Sequence, residues 1–258
     1  MPRPSMTILS VDWDYFFPDP DWWDWGHSEA PPFYEMLWDL RPGNKNLVTK
    51  EIAIDVYHPN SVLLDGFWER TLGEEGNAFL AQLWLVESHK TMHDAMYKLS
   101  KNFALDIWNF DQHHDLYGSD KVTEVNCGNW AKPFTRGRTH NYHIVYPPWR
   151  KEHPDTEFKG RCDVRFEHPG KLLPDVIFVC RSSCWTPPWS DDKWLKFIHE
   201  VMNKHKVCSL NTVPFVMGAR KLNLEAAKEQ AKNYHKEMEA LHDTRNGTKK
   251  ELSEANNH

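Results

Sequence analysis

Residues 104–115 read Ala104-Leu105-Asp106-Ile107-Trp108-Asn109-Phe110 and then, abruptly, Asp111-Gln112-His113-His114-Asp115. A short apolar run that stops this sharply is what a buried parallel strand looks like at its carboxyl end. Open parallel sheets place their ligand sites just outside those ends. The stretch therefore points to an α/β fold and to the place where its chemistry should lie. The two-residue period of a strand expects Asp111, His113 and Asp115 to face one side. Carboxylate and imidazole together suit Mn²⁺, Fe²⁺ or Zn²⁺ better than calcium. Acids and histidines also gather in solvated turns, so the D-x-H-x-D pattern alone leaves a polar turn open as well.

Reading outward removes much of that ambiguity. Leu83 to Val86 (LWLV) is a short buried strand that runs into Glu87-Ser88-His89. From Lys90 to Lys101 the spacing of Met92, Met96 and Leu99 predicts a helix. His89 should thus lie beside the 111–115 cluster. Thr7 to Val11 (TILSV) is a third such strand, ending in Asp12-Trp13-Asp14. Three strand ends supply four carboxylates and two histidines, enough ligands for two metals with bridging carboxylates.

The rest of the chain is organised around these steps. Prolines at 18, 20, 31 and 32 break the chain, so the tryptophan-rich stretch between them reads as a long loop. Pro31 to Leu40 opens a short helix, Glu51 to His58 is a strand, and Ser61 to Leu80 is broken helix. His143 to Tyr146 and Asp175 to Cys180 are strands, and Asp191 to Lys204 is a helix capped by Ser190. Trp149 to Gly170 is loop. Arg181 to Pro188 is either a pocket loop or an ordinary turn. Leu222 to His242 is an exposed helix, and Thr244 to His258 is expected to be disordered. This organisation gives one domain over 1–220, followed by a helix and tail over 221–258. There is no internal repeat.

Composition narrows the class. Lys and Arg total 31 against 37 Asp and Glu, for a net charge of −6. With no basic stripe, a nucleic-acid partner is not expected. No run of about 18 uncharged apolar residues crosses a membrane, and the apolar stretch near Met1 is too short for a signal, so a cytoplasmic protein is expected. Five widely spaced cysteines argue for reduced thiols. The 13 tryptophans read as core packing or as an aromatic wall around a ligand.

The motifs LWLVESH (83–89) and WNFDQHHDL (108–116) resemble the two central metal motifs of the arginase/deacetylase superfamily, and SVDWDYFFPDP (10–20) looks like its third. The third motif stands first here, an order similar to that of the arginase-like group that includes peptide arginases. The resemblance implies a three-layer α/β sandwich with a mostly parallel central sheet and a rearranged motif order. It implies two Mn²⁺ per chain, bridged by Asp12 and Asp111, with His89 and Asp115 on one ion and His113 and Asp14 on the other. The implied reaction hydrolyses the guanidino group of arginine within a peptide to ornithine and urea, with Asp115 passing a proton to the leaving amine. Cys127-Gly128-Asn129-Trp130 is similar to the arginase substrate loop, which implies substrate contacts from Cys127 and Asn129. Ala131 stands where that family has a proton-shuttling histidine, leaving His93, His114, His140 and His143 as candidates for the relay. Glu87, Asp94 and Asp19 are candidate partners for the substrate guanidinium. Two alternatives stand beside this reading: a mononuclear amide deacetylase of the same superfamily and a non-catalytic, metal-stabilised binding module. The sequence leaves the oligomeric state open.

Overall fold

The computed structural model describes residues 3–18, 38, 57–74, 81–118, 124–135, 140–152, 162–204, 207–212, 214–220, 233 and 236. The chain divides into two compact units, residues 1–19 with 58–220 and residues 20–57 with 221–258. In the second unit, Trp38 stacks on Tyr57 with ring centroids 6.4 Å apart.

The first unit is an α/β sandwich around a 7-stranded sheet. Its strands are β1 (Ser5–Asp12), β2 (Ala81–Val86), β3 (Ala104–Phe110), β4 (Asn141–Val145), β5 (Asp163–Arg165), β6 (Val176–Cys180) and β7 (Val207–Thr212). They lie in the order β5-β4-β3-β1-β6-β2-β7, and every pairing is parallel. Its helices are α1 (Ser61–Leu64), α2 (Phe67–Leu72), α3 (His89–Ser100), α4 (Lys132–Thr135) and α5 (Asp191–Lys204).

Helices cover both faces of this sheet, and strand alternation decides which residues they meet. Ile8, Leu105, Ile107, Val176 and Phe178 form one core with Met92 and Met96 of α3 and Phe134 of α4. On the opposite face Phe110 packs edge-on against Phe67 of α2, ring centroids 5.2 Å apart. Phe197 of α5 stacks on Trp68 at 4.6 Å. Ser10 and Asp12 share the α3 face with Ile8, and Cys180 shares it with Phe178. Trp13, Trp68, Trp130 and Trp194 are fully buried, as the core reading of the tryptophans expects.

The strands expected over 7–11, 83–86, 104–110 and 175–180 are present within a residue or two, as is the 90–101 helix. Ser61 to Leu80 holds α1 and α2 up to Leu72, with residues 75–80 outside the described set. The strand expected over Glu51 to His58 falls mostly outside the described residues, and Tyr57 and His58 are not in a strand. The helices expected over 31–40 and 222–242, and the disordered tail, also lie outside them apart from residues 38, 233 and 236.

Two expectations are corrected. Trp149 to Gly170 is not all loop: a 3-10 turn spans Pro148–Glu152, and Asp163–Arg165 pairs with β4 as a short edge strand. Ser190 does not cap α5; its hydroxyl meets no hydrogen-bond partner among the described residues, and it ends a 3-10 turn instead. No helix among the described residues is long and apolar enough to cross a membrane.

Candidate metal centre

The strand order explains how distant residues meet. From β1 the chain passes to β2, two places away, returns to β3 on the other flank, and later inserts β6 between β1 and β2. The carboxyl ends of β3, β1, β6 and β2 therefore lie side by side. They carry Asp111, Asp12, Cys180 and, one short turn on, His89.

His89 occupies the first turn of α3, which Ser88 caps by accepting from the Lys90 amide at 3.1 Å. Its Nδ1 lies 3.1 Å from Asp12 Oδ2, 3.4 Å from Asp115 Oδ2 and 3.7 Å from Asp111 Oδ2. The other ring nitrogen, Nε2, lies 3.2 Å from Ser10 Oγ, which itself donates to Met92 Sδ. With Ser10 able to accept from Nε2, Nδ1 is the nitrogen directed at the carboxylates and the one a metal ion would take. His113 Nδ1 lies 3.1 Å from Asp14 Oδ2 and 3.5 Å from Asp111 Oδ1.

Two of the groups able to hold a metal ion, Asp14–Asp111–His113 and His89–Asp111–Asp115, share Asp111. A third, Asp12–His89–Cys180, overlaps them at His89. Within each group the ligand atoms lie within 4.8 Å of one another. All six residues expected from the sequence as metal ligands thus converge.

They converge by a different route from strand periodicity. β3 ends at Phe110, and residues 111–115 form an irregular turn in which Asp115 adopts φ 55°. The left-handed conformation turns its carboxylate back under the sheet end, where Trp130 Nε1 donates to Asp115 Oδ2. Asp14 lies in a 3-10 turn, Trp13–Phe16, that Asp12 caps by accepting from the Asp14 amide at 3.0 Å. Gln112 locks the two turns together by donating to the carbonyls of Asp14 and Phe17. Ser182 is the other non-glycine residue at positive φ, 49°, and its hydroxyl donates to Asp12 Oδ2 at 2.6 Å. Backbone strain among the described residues is thus concentrated on two groups that touch this cluster.

The electrostatics are those of a site short of positive charge. Burial, then the charges of Asp12 and Asp111, push the Asp14 carboxyl up to about 8. Burial and then Asp111 push Asp115 well above the usual carboxylate range. For Asp111 burial acts upward but is outweighed by the His113 hydrogen bond and the His89 and His113 charges, so it stays low. Burial works against protonating His113 and His89, yet the carboxylates around them raise both, His113 the further. Four carboxylates against two imidazoles leave a buried negative excess that protons held on Asp14 and Asp115, or a bound cation, must compensate. Asp14 Oδ2 is buried and lies 3.1 Å from His113 Nδ1, with no donor aligned on it among the described residues. An orphaned carboxylate oxygen facing an imidazole nitrogen fits two ligands of one ion.

The site opens at His113, whose side chain is 23% exposed, whereas the other five ligand side chains are at most 6% exposed. Trp185 lies beside it, ring centroids 5.6 Å apart.

The other expected site residues take different places. Glu87 already holds an internal guanidinium: Arg181 Nε donates to Oε2 at 3.0 Å and the Ser183 amide to Oε1 at 2.9 Å. Asn129 uses its side chain to close its own loop, accepting from the Asn126 amide and donating to the Glu124 carbonyl. Cys127 is half-buried in that loop. It is Trp130, one residue on, that reaches the cluster, stacking on His89 at 5.1 Å and bonding Asp115. Asp94 is exposed beside His93, and Asp19 lies outside the described residues. Of the candidate relay histidines, His114 accepts from the Leu116 amide, His140 from the Leu105 amide, and His143 bridges Asp106 and Asp163. Cys127, Cys162, Cys180, Cys184 and Cys208 are not joined in disulfides.

Ser10, Trp130, Cys180 and Ser182 also belong to this site, Cys180 and Ser182 through the strand order, Ser10 through α3 and Trp130 through the loop that precedes α4. Fold and site together define an α/β protein with a buried Asp/His centre at the carboxyl ends of a parallel sheet, able to hold a metal ion. Compared with protein-family models, curated proteins and solved structures, the chain matches none of them.

Proposed function

We propose that this chain is a binuclear manganese hydrolase that cleaves the guanidino group of arginine, within a peptide, to ornithine and urea. The observation that carries the reading is the pair of Asp/His groups sharing Asp111, one with Asp14 and His113, the other with His89 and Asp115. Bound there, a pair of Mn²⁺ ions supplies a water acidified enough to attack carbon at neutral pH. The oxygen-rich, two-imidazole donor set suits manganese.

The protein's own groups then have distinct tasks. Ser10 and Trp130 fix the orientation of His89 and Asp115. Asp115, whose surroundings favour a bound proton, is the group that passes one to the leaving amine. Trp185, beside the exposed edge of His113, offers a ring face to a cationic group entering there. Glu87 is a weaker partner for a substrate guanidinium than its charge suggests, because Arg181 and Ser183 already engage both its oxygens.

The test is mass-spectrometric. Arginine-containing peptides incubated with the manganese-loaded chain should lose the mass of cyanamide, the difference between arginine and ornithine, with urea appearing in step. Asp111→Asn should reduce that conversion to background. Full conversion by the Asn variant, or none by the loaded parent chain across a varied peptide set, overturns the reading.

A further inference from the structure

The third ligand group differs from the other two in carrying sulfur. Register sets it there: Cys180 pairs with Asp12 on β1 and with Val86 on β2. In-register neighbours project to the same face, so Cys180 Sγ points where Asp12 does. It is fully buried, and its Sγ lies 3.3 Å from Ser182 Oγ, the same hydroxyl that donates to Asp12 Oδ2. Asp12, His89 and Cys180 each offer a ligand atom within 4.8 Å of the others.

We propose that Asp12, His89 and Cys180 form a zinc-selective ligand set overlapping the proposed manganese pair, so that zinc bound there excludes manganese. Thiolate selects thiophilic cations, and carboxylate, imidazole and thiolate with one open position form a familiar zinc arrangement. His89 is common to this set and to the His89–Asp111–Asp115 group, so its nitrogen serves one ion at a time. On binding, the Cys180 S–H bond gives its proton to solvent and the sulfur coordinates as thiolate, with no change of oxidation state. The consequence is control by metal supply: zinc silences the centre and its removal restores it. The inference rests on the cluster being a metal centre, and only its inhibitory consequence rests on the proposed hydrolysis.

Cobalt(II), a spectroscopic stand-in for zinc, tests it directly on the full chain. The parent protein should show a near-ultraviolet sulfur-to-cobalt charge-transfer band, and Cys180→Ser should lose that band while keeping the visible ligand-field bands of bound cobalt. Zinc affinity of the variant should fall by at least about tenfold to a hundredfold, since even residues behind the ligands matter that much. No charge-transfer band in the parent, or a band that survives in Cys180→Ser, overturns the proposal. If the variant does not fold, zinc X-ray absorption on the parent chain decides instead. One sulfur neighbour at about 2.3 Å supports the proposal, and a shell of nitrogen and oxygen alone overturns it. Sulfur ligation without urea release from peptides rejects the hydrolase and leaves this inference standing; urea release without sulfur ligation does the reverse.

Discussion

At the scale of single residues, the centre depends on groups that touch the ligands as much as on the ligands. Ser10 holds the His89 ring by its remote nitrogen, so Ser10→Ala frees the ring to rotate and to take the other tautomer. We expect it to weaken metal binding by about 10- to 100-fold with little loss of fold, as measured by titration calorimetry. Unchanged affinity would mean that packing by Trp130 alone sets the ring. The six ligands were legible in the sequence because each follows an apolar run within a few residues. Ser10, Cys180 and Ser182 were not, since Ser10 acts only once α3 packs over β1, and Cys180 and Ser182 only once β6 slots between β1 and β2. The strand period was the wrong reason for a right convergence: Asp115 arrives through a left-handed turn, which no periodicity encodes.

At the scale of elements, apolar strands were readable and polar ones were not. β6 and most of β1 are buried on both faces and read as apolar runs, while β3 is fully buried on its Leu105–Ile107 face and only partly on the other until Phe110. β5 (Asp163–Arg165) and β7 (Val207–Thr212) are edge strands, mostly exposed, and carry too little apolar pattern to stand out from loop. The same distinction ranks the elements by importance. Phe110, the last residue of β3, is fully buried against Tyr15, Phe67 and His168 and sits one bond from Asp111. Phe110→Ala should cost about 3–5 kcal/mol, seen as a lowered denaturation midpoint. A cost under about 1 kcal/mol would show that the α2 side of the sheet closes over the cavity.

At the scale of the whole molecule, a half-buried neutral histidine links stability to acidity. His168 accepts the Gly170 amide at Nδ1 and faces Thr71 Oγ1 through Nε2, so a second ring proton has nowhere to go. Burial, and then the charge of Arg70, depress it from the usual 6.5 to about 4. Between these values the unfolded chain binds the proton and the folded chain does not, so stability falls as pH falls from 6.5 towards about 4. A fully buried ring with that shift would contribute about 3 kcal/mol, and partial exposure screens it to about 1–2 kcal/mol. Denaturation midpoints measured across this range should flatten in His168→Gln; an identical slope in both proteins would assign the loss to other groups.

A metal ion held by the Asp/His cluster would be the larger linkage, because an ion that bound only the folded chain would add about 2.7 kcal/mol at a hundred times its dissociation constant. In the proposed centre Asp111 serves two ions at once. Electron paramagnetic resonance during titration with Mn²⁺ tests that most directly. Two ions bound per chain, with the exchange-coupled spectrum of a carboxylate-bridged pair that Asp111→Asn abolishes, is the predicted result. A single uncoupled Mn²⁺ signal, or no binding, would contradict it.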